Sequence, residues 1–263
     1  SALPGFPVIL RTGYSNNGYF TAAEGGTRVI DSDGVLLFNV QGYSVDGRWA
    51  NESAELTLYA HWTIWTIPIT IDANGGDADR NVIATYDTLP EFDAVTRTGY
   101  VLTGYFNEGE GGAMVINADG TLVQNAAGYT ADGKWTCVYD NLVLYAQWSP
   151  RSTAVILDKN GGAADRTTIA TYDSGDLNAF EAVSRAGYVL TGYFTSADGG
   201  VMVVSSEGAL AQNAAGYTAG GVWKYEGSDL TLYAQWQAHV TAVVLDKNGG
   251  DTDGSATVSY DGT

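Results

Sequence analysis

Val143-Leu144-Tyr145-Ala146-Gln147-Trp148 occurs in two further versions in the same chain, Thr57-Leu58-Tyr59-Ala60-His61-Trp62 and Thr231-Leu232-Tyr233-Ala234-Gln235-Trp236. The closing tryptophans lie 86 and 88 residues apart, so the 263-residue chain is an array of one small domain. Arrays serve reach, repetition or surface display, and function is therefore sought in the assembly before the single unit.

Other marks keep the same phase. Gly13-Tyr14 corresponds to Gly99-Tyr100 and Gly187-Tyr188, and Gly-Tyr-Phe triplets begin at Gly18, Gly104 and Gly192. Gly-Gly pairs start at Gly25, Gly111 and Gly199. Asn39, Asn125 and Asn213 precede Gly-Tyr pairs at Gly42, Gly128 and Gly216, and Trp49, Trp135 and Trp223 follow. After each closing Trp comes an Asp-x-Asn-Gly-Gly run, at Asp72, Asp158 and Asp246. Tyr59, Trp62, Tyr145, Trp148, Tyr233, Trp236, Asn74, Asn160 and Asn248 are read as structural marks of the repeat.

Each unit of about 87 residues can hold one modest core but is small enough to gain from neighbours. Glycine is at roughly twice its usual share, and Val, Ile, Leu, Thr and Tyr fill the stretches between glycines, which predicts short strands and tight turns. No stretch keeps helical periodicity without a Gly interrupting it, so the class is β-rich, with at most a short helix or turn near 89–95 and 177–183. In the second unit strands are expected over 65–71, 82–86, 100–106, 112–116 and 142–148, with an Asn-Gly turn after Asp72. Pro68 suggests that the first of these lies at a sheet edge or starts later.

Composition narrows the functional classes. Thirty acidic against twelve basic residues give a net charge of −18, which argues against nucleic acid and anionic membrane surfaces as partners. Cys137 is the only cysteine, which excludes a disulfide framework, and Asn51 and Tyr225 stand at its place in the other units. His61 is replaced by Gln147 and Gln235, and neither it nor His239 recurs beside Cys137 as a base, so no catalytic residue is assigned and the chain is read as non-enzymatic. Asp31-Ser32-Asp33-Gly34 becomes Asn117-Ala118-Asp119-Gly120 and Ser205-Ser206-Glu207-Gly208; this drift fits hairpin turns better than calcium loops. No metal or cofactor is assigned. Tyr100, Tyr105, Phe106, Tyr129, Trp135, Tyr145 and Trp148 are read as packing residues, with sugar stacking as the alternative.

Asp-x-Asn-Gly-Gly, then Thr98-Gly99-Tyr100-Val101-Leu102-Thr103-Gly104-Tyr105-Phe106, then Leu144-Tyr145-Ala146-Gln147-Trp148, resembles the Listeria–Bacteroides repeat, also called the internalin B-repeat family. The resemblance implies tandem, small, β-grasp-like domains on secreted or cell-wall-attached bacterial proteins, with a role in display or adhesion and no catalytic residues. Two features depart from it. Family members usually carry Trp-Tyr after the central Gly, where this chain has Tyr19-Phe20, Tyr105-Phe106 and Tyr193-Phe194, and each unit contains an extra Gly-Tyr and Trp, as at Gly128, Tyr129 and Trp135.

The expected organisation is residues 1–64, a first repeat lacking its N-terminal hairpin; 65–150 and 151–238, two complete repeats; and 239–263, the hairpin of a further repeat. Leu3-Pro4-Gly5-Phe6 matches Leu89-Pro90-Glu91-Phe92, while the hairpin absent at the start stands at the end, from Val243 to Thr263. Two readings stay open: an arbitrary piece of a longer protein, or a subunit whose last hairpin completes the first repeat of a neighbour, head to tail. Short connections stiffened by Pro150 suggest an extended array. The expected function is an extracellular, bacterial cell-surface or secreted stalk, adhesin shaft or filament subunit, with a carbohydrate- or host-receptor-binding module as the alternative and neither nucleic acid nor membrane insertion involved.

Overall fold

A computed structural model describes residues 5–139 and 141–261. Leu3-Pro4 and Gly262-Thr263, at the two ends compared above, lie outside the described residues. Those residues form strands and turns with no helix. The chain has two compact units, one containing residues up to Thr96 with Leu102–Gln147, the other Arg97–Val101 with the residues from Trp148 on.

In the second repeat Thr66–Asp72 alternates exposed and buried positions, pointing Ile67, Ile69 and Ile71 into the core. Its hairpin partner Arg80–Thr85 adds Val82 and Ala84. This period of two is what a half-buried strand requires. Leu142–Pro150 lies parallel to Thr66–Asp72, with Leu142 opposite Ile69 and Tyr145 opposite Asp72. The sheet order is Arg80–Thr85, Thr66–Asp72, Leu142–Pro150, Tyr100–Phe106, Met114–Asn117. First and last strands of the repeat are thus parallel neighbours at its centre. Only this strand order bears on the β-grasp expectation, since no helix crosses the sheet among the described residues.

Two expectations are corrected. Thr66–Asp72 is an interior strand despite Pro68. The parallel register begins at Ile69, and Ala154, the counterpart of Pro68, donates its N–H to Ser228 O (2.9 Å) just before the ladder, so proline forfeits one bond at the strand's entry. The stretch 89–95 is neither helix nor turn, because Pro90 biases Leu89 away from helical geometry. In the third repeat Leu177–Asn178 instead pairs with Ile169 and Ala170 as an edge strand.

The third repeat has the order Leu177–Asn178, Arg166–Thr171, Ser152–Asp158, Asp229–Ala238, Tyr188–Phe194, Met202–Ser205. Val155, Leu157, Tyr193, Trp223, Leu232 and Ala234 are fully buried at its centre. The extra Gly-Tyr and Trp of each unit belong to a small hairpin, such as Thr218–Ala219 with Val222–Trp223, which delivers the indole to the core. Its base is held by one buried hydroxyl: Thr218 Oγ1 donates to Ala211 O (2.7 Å) and accepts the Ala214 N–H, as Thr130 and Ser44 do in the other repeats.

In the first repeat the sheet has three strands, in the order Arg28–Ile30, Tyr14–Phe20, Tyr59–Ile64. Leu58 and Ala60 are only half-buried, whereas their counterparts Leu144, Ala146, Leu232 and Ala234 are fully buried. Ile9 is 55% exposed, where Val95 and Val183 are 2% and 5% exposed.

Candidate functional site

The repeat marks fall into two sets of contacts, one inside each repeat and one between consecutive repeats. Inside the repeat the asparagine marks act as staples. Asn74 and Asn160 adopt φ of 46° and 40°, a left-handed geometry that asparagine tolerates, and their N–H groups donate to Asp72 and Asp158 Oδ1 (2.7 Å each). The Asn74 amide then donates to Gly109 O (2.7 Å) and Ala146 O (2.8 Å), and that of Asn160 to Ala197 O (2.7 Å) and Ala234 O (2.8 Å). One side chain therefore ties the hairpin turn to the Gly-Gly loop and to the closing strand. Asn248 repeats the turn geometry, with φ of 40° and its N–H on Asp246 Oδ1 (2.7 Å).

Gln147 and Gln235 support the same loop. Gln147 Nε2 donates to Glu108 O (3.0 Å) and Gly111 O (2.6 Å), and Gln235 to Ser196 O and Gly199 O. His61 reaches the equivalent carbonyl, Ala22 O (2.9 Å), while stacking on Phe20. Trp236 Nε1 donates to Lys159 O and Asn160 O (3.1 Å each), and Trp62 and Trp148 are half-buried at the matching places. Tyr145 and Tyr233 are half-buried and Tyr59 is exposed. Cys137 is buried, and burial pushes its thiol pKa up, away from the thiolate a nucleophile needs. The acidic turns cap backbone: Asp31 Oδ1 accepts the N–H groups of Asp33 (3.0 Å) and Val35 (2.8 Å), and Asp119 Oδ1 that of Thr121 (2.9 Å). Among the described residues no three His, Cys, Asp or Glu side chains gather as a metal site.

The second set builds a joint, and it recurs three times. In one instance the Arg97 guanidinium lies 3.9 Å from the centre of the Tyr100 ring, a cation–π stack. Tyr100 meets Tyr172, from the next repeat's hairpin, edge to face at 5.7 Å, and its hydroxyl donates to Asp173 Oδ2 (2.8 Å). Arg151 N–H donates to Gly99 O (2.9 Å), and Tyr172 N–H to Arg151 O (2.8 Å). Gly99 has φ of 76°, and a Cβ there would sit 2.2 Å from the Tyr172 ring, so only glycine lets the ring close over the backbone.

The same atoms meet around Gly187: Arg185 over Tyr188 at 3.8 Å, Tyr188 against Tyr260 at 5.6 Å, the Tyr188 hydroxyl on Asp261 Oδ2 (2.9 Å), and His239 N–H on Gly187 O (2.9 Å). Around Gly13 they are Arg11 over Tyr14 at 3.7 Å, Tyr14 against Tyr86 at 6.4 Å, and Trp65 N–H on Gly13 O (2.9 Å). Lys224 adds an ion pair to Asp173 in one joint. That ammonium first, and the Tyr100 hydroxyl second, hold the Asp173 carboxyl below its usual range, and the hydrogen bond to Asp173 pushes Tyr100 up.

The Gly-Tyr half of the joint was among the sequence marks; the Arg and the Tyr-Asp half were not. A signal existed. Three of the twelve basic residues stand two places before Gly-Tyr, and Tyr-Asp follows each hairpin, at Tyr86-Asp87, Tyr172-Asp173 and Tyr260-Asp261.

Comparisons with known proteins agree with this repeat structure. The family model of the Listeria-Bacteroides repeat domain matches residues 68–147 and 154–215. A predicted Gly-rich membrane protein of Evansella cellulosilytica is 23% identical over 94% of this chain and 24% of its own length. A predicted membrane protein of the same organism is 27% identical over 71% of this chain, again 24% of its own length. The chain thus spans about a quarter of the curated relatives it matches. No solved structure matches it. Among the described residues no helix is long and apolar enough to cross a membrane. Repeats of this kind are typical of bacterial surface proteins. With two matched copies covering more than half of its residues, the chain belongs to the Listeria-Bacteroides repeat domain family.

Proposed function

We propose that the chain is a non-enzymatic, load-transmitting segment of a bacterial cell-surface or secreted protein, a stalk or adhesin shaft that spaces other parts of the parent protein. The observation that carries it is the joint. Arg, Gly and Tyr of one repeat close on Tyr of the next with the same geometry three times. Where a Tyr–Asp bond is also present, the hydroxyl reaches 73 residues along the chain. Such contacts bind each Arg-x-Gly-Tyr segment to the hairpin that follows it, a recurrent link that a spacer uses and an independent binding module does not need. Membership in a family typical of surface proteins, and relatives roughly three to four times longer that are named as membrane proteins, support the same reading. The fully buried Tyr105, Tyr193, Trp135 and Trp223 are committed to packing and are not free for sugar stacking.

The test is a series of chains with two, three and four joints, measured by small-angle scattering and by single-molecule extension. A constant increment in maximum dimension per added repeat is expected, and its loss in Gly-to-Ala joint variants. A dimension that does not grow linearly with repeat number, or specific glycan binding by the array, overturns the proposal.

A further inference from the structure

Asn74-Gly75 and Asn160-Gly161 join a chemically reactive dipeptide to a tightly held side chain. Deamidation of asparagine starts when the next backbone nitrogen attacks the side-chain amide carbon, and glycine, lacking a Cβ, obstructs that approach least. Water reaches both places, since the two asparagines are half-buried and Gly75 and Gly161 are exposed. Each dipeptide sits in a turn with φ of 46° and 84° at Asn74 and Gly75, and 40° and 87° at Asn160 and Gly161. Gly76 N–H on Ala73 O (2.9 Å) and Gly162 N–H on Lys159 O (2.8 Å) close the two turns.

The staple opposes this reactivity. Each side-chain amide donates to two carbonyls, Gly109 O and Ala146 O from Asn74, Ala197 O and Ala234 O from Asn160. The acceptors stand on separate segments, a loop and the closing strand, so together they fix the orientation of the amide plane. Attack makes the planar carbon tetrahedral and brings it over the glycine nitrogen, a near-attack geometry that works against both bonds. The loop acceptor is itself held by the glutamine of the same repeat. Gln147 Nε2 donates to Glu108 O and Gly111 O on either side of Gly109, and Gln235 Nε2 to Ser196 O and Gly199 O around Ala197.

We propose that Asn74 and Asn160 are deamidation sites gated by the fold: opening of the staple admits the reaction, and the product prevents the staple from closing again. When the amide leaves its carbonyls, the Gly75 or Gly161 nitrogen gives its proton to hydroxide and bonds to the side-chain carbon. The carbon–nitrogen bond of the amide breaks and ammonia departs with a proton from water, leaving a cyclic imide. Water then adds to either imide carbonyl and yields aspartate or isoaspartate, with no oxidant or cofactor involved. A carboxylate offers no N–H to the two carbonyls that held the amide, and its charge faces their oxygens. Each repeat thereby keeps a one-way record of having opened. The inference goes beyond the spacer reading and does not depend on it, because every group involved belongs to a single repeat.

The test incubates the full chain at mildly alkaline pH beside a synthetic peptide of residues 155–165. Peptide mapping by mass spectrometry follows each site and separates asparagine, aspartate and isoaspartate. In the folded chain both sites should react about tenfold or more slowly than the peptide, since two ordinary hydrogen bonds must open first. Gln147→Ala speeds the reaction at Asn74 and leaves Asn160 at its wild-type rate, and Gln235→Ala does the reverse. That crossed pattern distinguishes opening of one staple from unfolding of the chain. Asn160→Asp, which places the product's carboxylate at the staple, speeds amide hydrogen exchange in the 196–200 loop. Folded-chain rates equal to the peptide's, acceleration of both sites or of neither by a glutamine variant, or unchanged loop exchange in Asn160→Asp overturns the proposal.

Discussion

Replacing Gly99 by alanine tests the joint most directly. Two costs arise at that residue. Holding a non-glycine residue at φ of 76° costs about 1–2 kcal/mol. The new Cβ, 2.2 Å from the Tyr172 ring, also forces the ring off the backbone, which sacrifices the edge-to-face pair with Tyr100, worth about 0.5–1.5 kcal/mol. Displacing the rings loosens the Tyr100–Asp173 hydrogen bond as well, worth at most about 1 kcal/mol in its exposed setting. The sum is about 2–4 kcal/mol, concentrated at one junction. In a Tyr172→Ala background only the backbone cost remains, so the double-mutant coupling should be about 1–2 kcal/mol. Native-state hydrogen exchange at the Arg151 and Tyr172 amides reads the local opening free energy without assuming that the whole array unfolds in one step. Equal effects of Gly99→Ala with and without the Tyr172 ring, or unchanged exchange at those amides, would refute the reasoning.

Asn160→Ala loses two bonds to backbone carbonyls and should lower stability by about 1–3 kcal/mol more than Asn248→Ala in dilute solution, with denaturant melts as the measurement. Thr153→Val keeps the shape but removes the acceptor of the buried Trp223 indole and the donor to Gly227 O; a loss of about 1–3 kcal/mol is expected by calorimetry. Because the folded-state pKa of Asp173 is depressed, its contribution to the joint is complete above the ordinary carboxylate value of 3.8 and is lost as pH falls through the lower folded value. The Tyr100 ring resonances should therefore report an intact contact down to about pH 4 and opening below it, absent in Asp173→Asn; opening that begins near pH 6 contradicts this assignment.

The β-rich class, the tandem organisation and four of the second repeat's five strands could be read from glycine spacing and alternation, because those patterns are local. Met114–Asn117 starts two residues later than expected, since Gly112, at φ of 72°, belongs to the loop. Pro68 misled because the edge rule assumes a ladder on both sides, whereas the parallel neighbour begins one residue later. The asparagines stood out as marks, but their staple role needed the fold: the amide of Asn74 reaches carbonyls 35 and 72 residues away. The joint was half legible for the same reason. Its Gly-Tyr half is a compact motif, while Arg97 and Tyr172 acquire meaning only once the next hairpin is folded against them. Trp135 shows the opposite limit. Among the described residues its buried indole N–H meets no acceptor, because Ile67 stands where the third repeat has Thr153, a difference that looks conservative in a strand pattern.

Paired joint tyrosines lie 72 residues apart in all three instances, from Tyr14 to Tyr86, Tyr100 to Tyr172 and Tyr188 to Tyr260, although the repeats themselves are spaced by 86 and 88. The two added residues fall just after Tyr172, in the segment that supplies the strand Leu177–Asn178, and leave the joint spacing untouched. Every junction draws one half from the copy before it and the other from the copy after it, and both complete copies, 65–150 and 151–238, carry the two halves. Unequal recombination between copies can therefore add or delete whole repeats at the gene level while each new junction inherits a working pair, which makes array length a trait that selection can adjust without inventing a new contact.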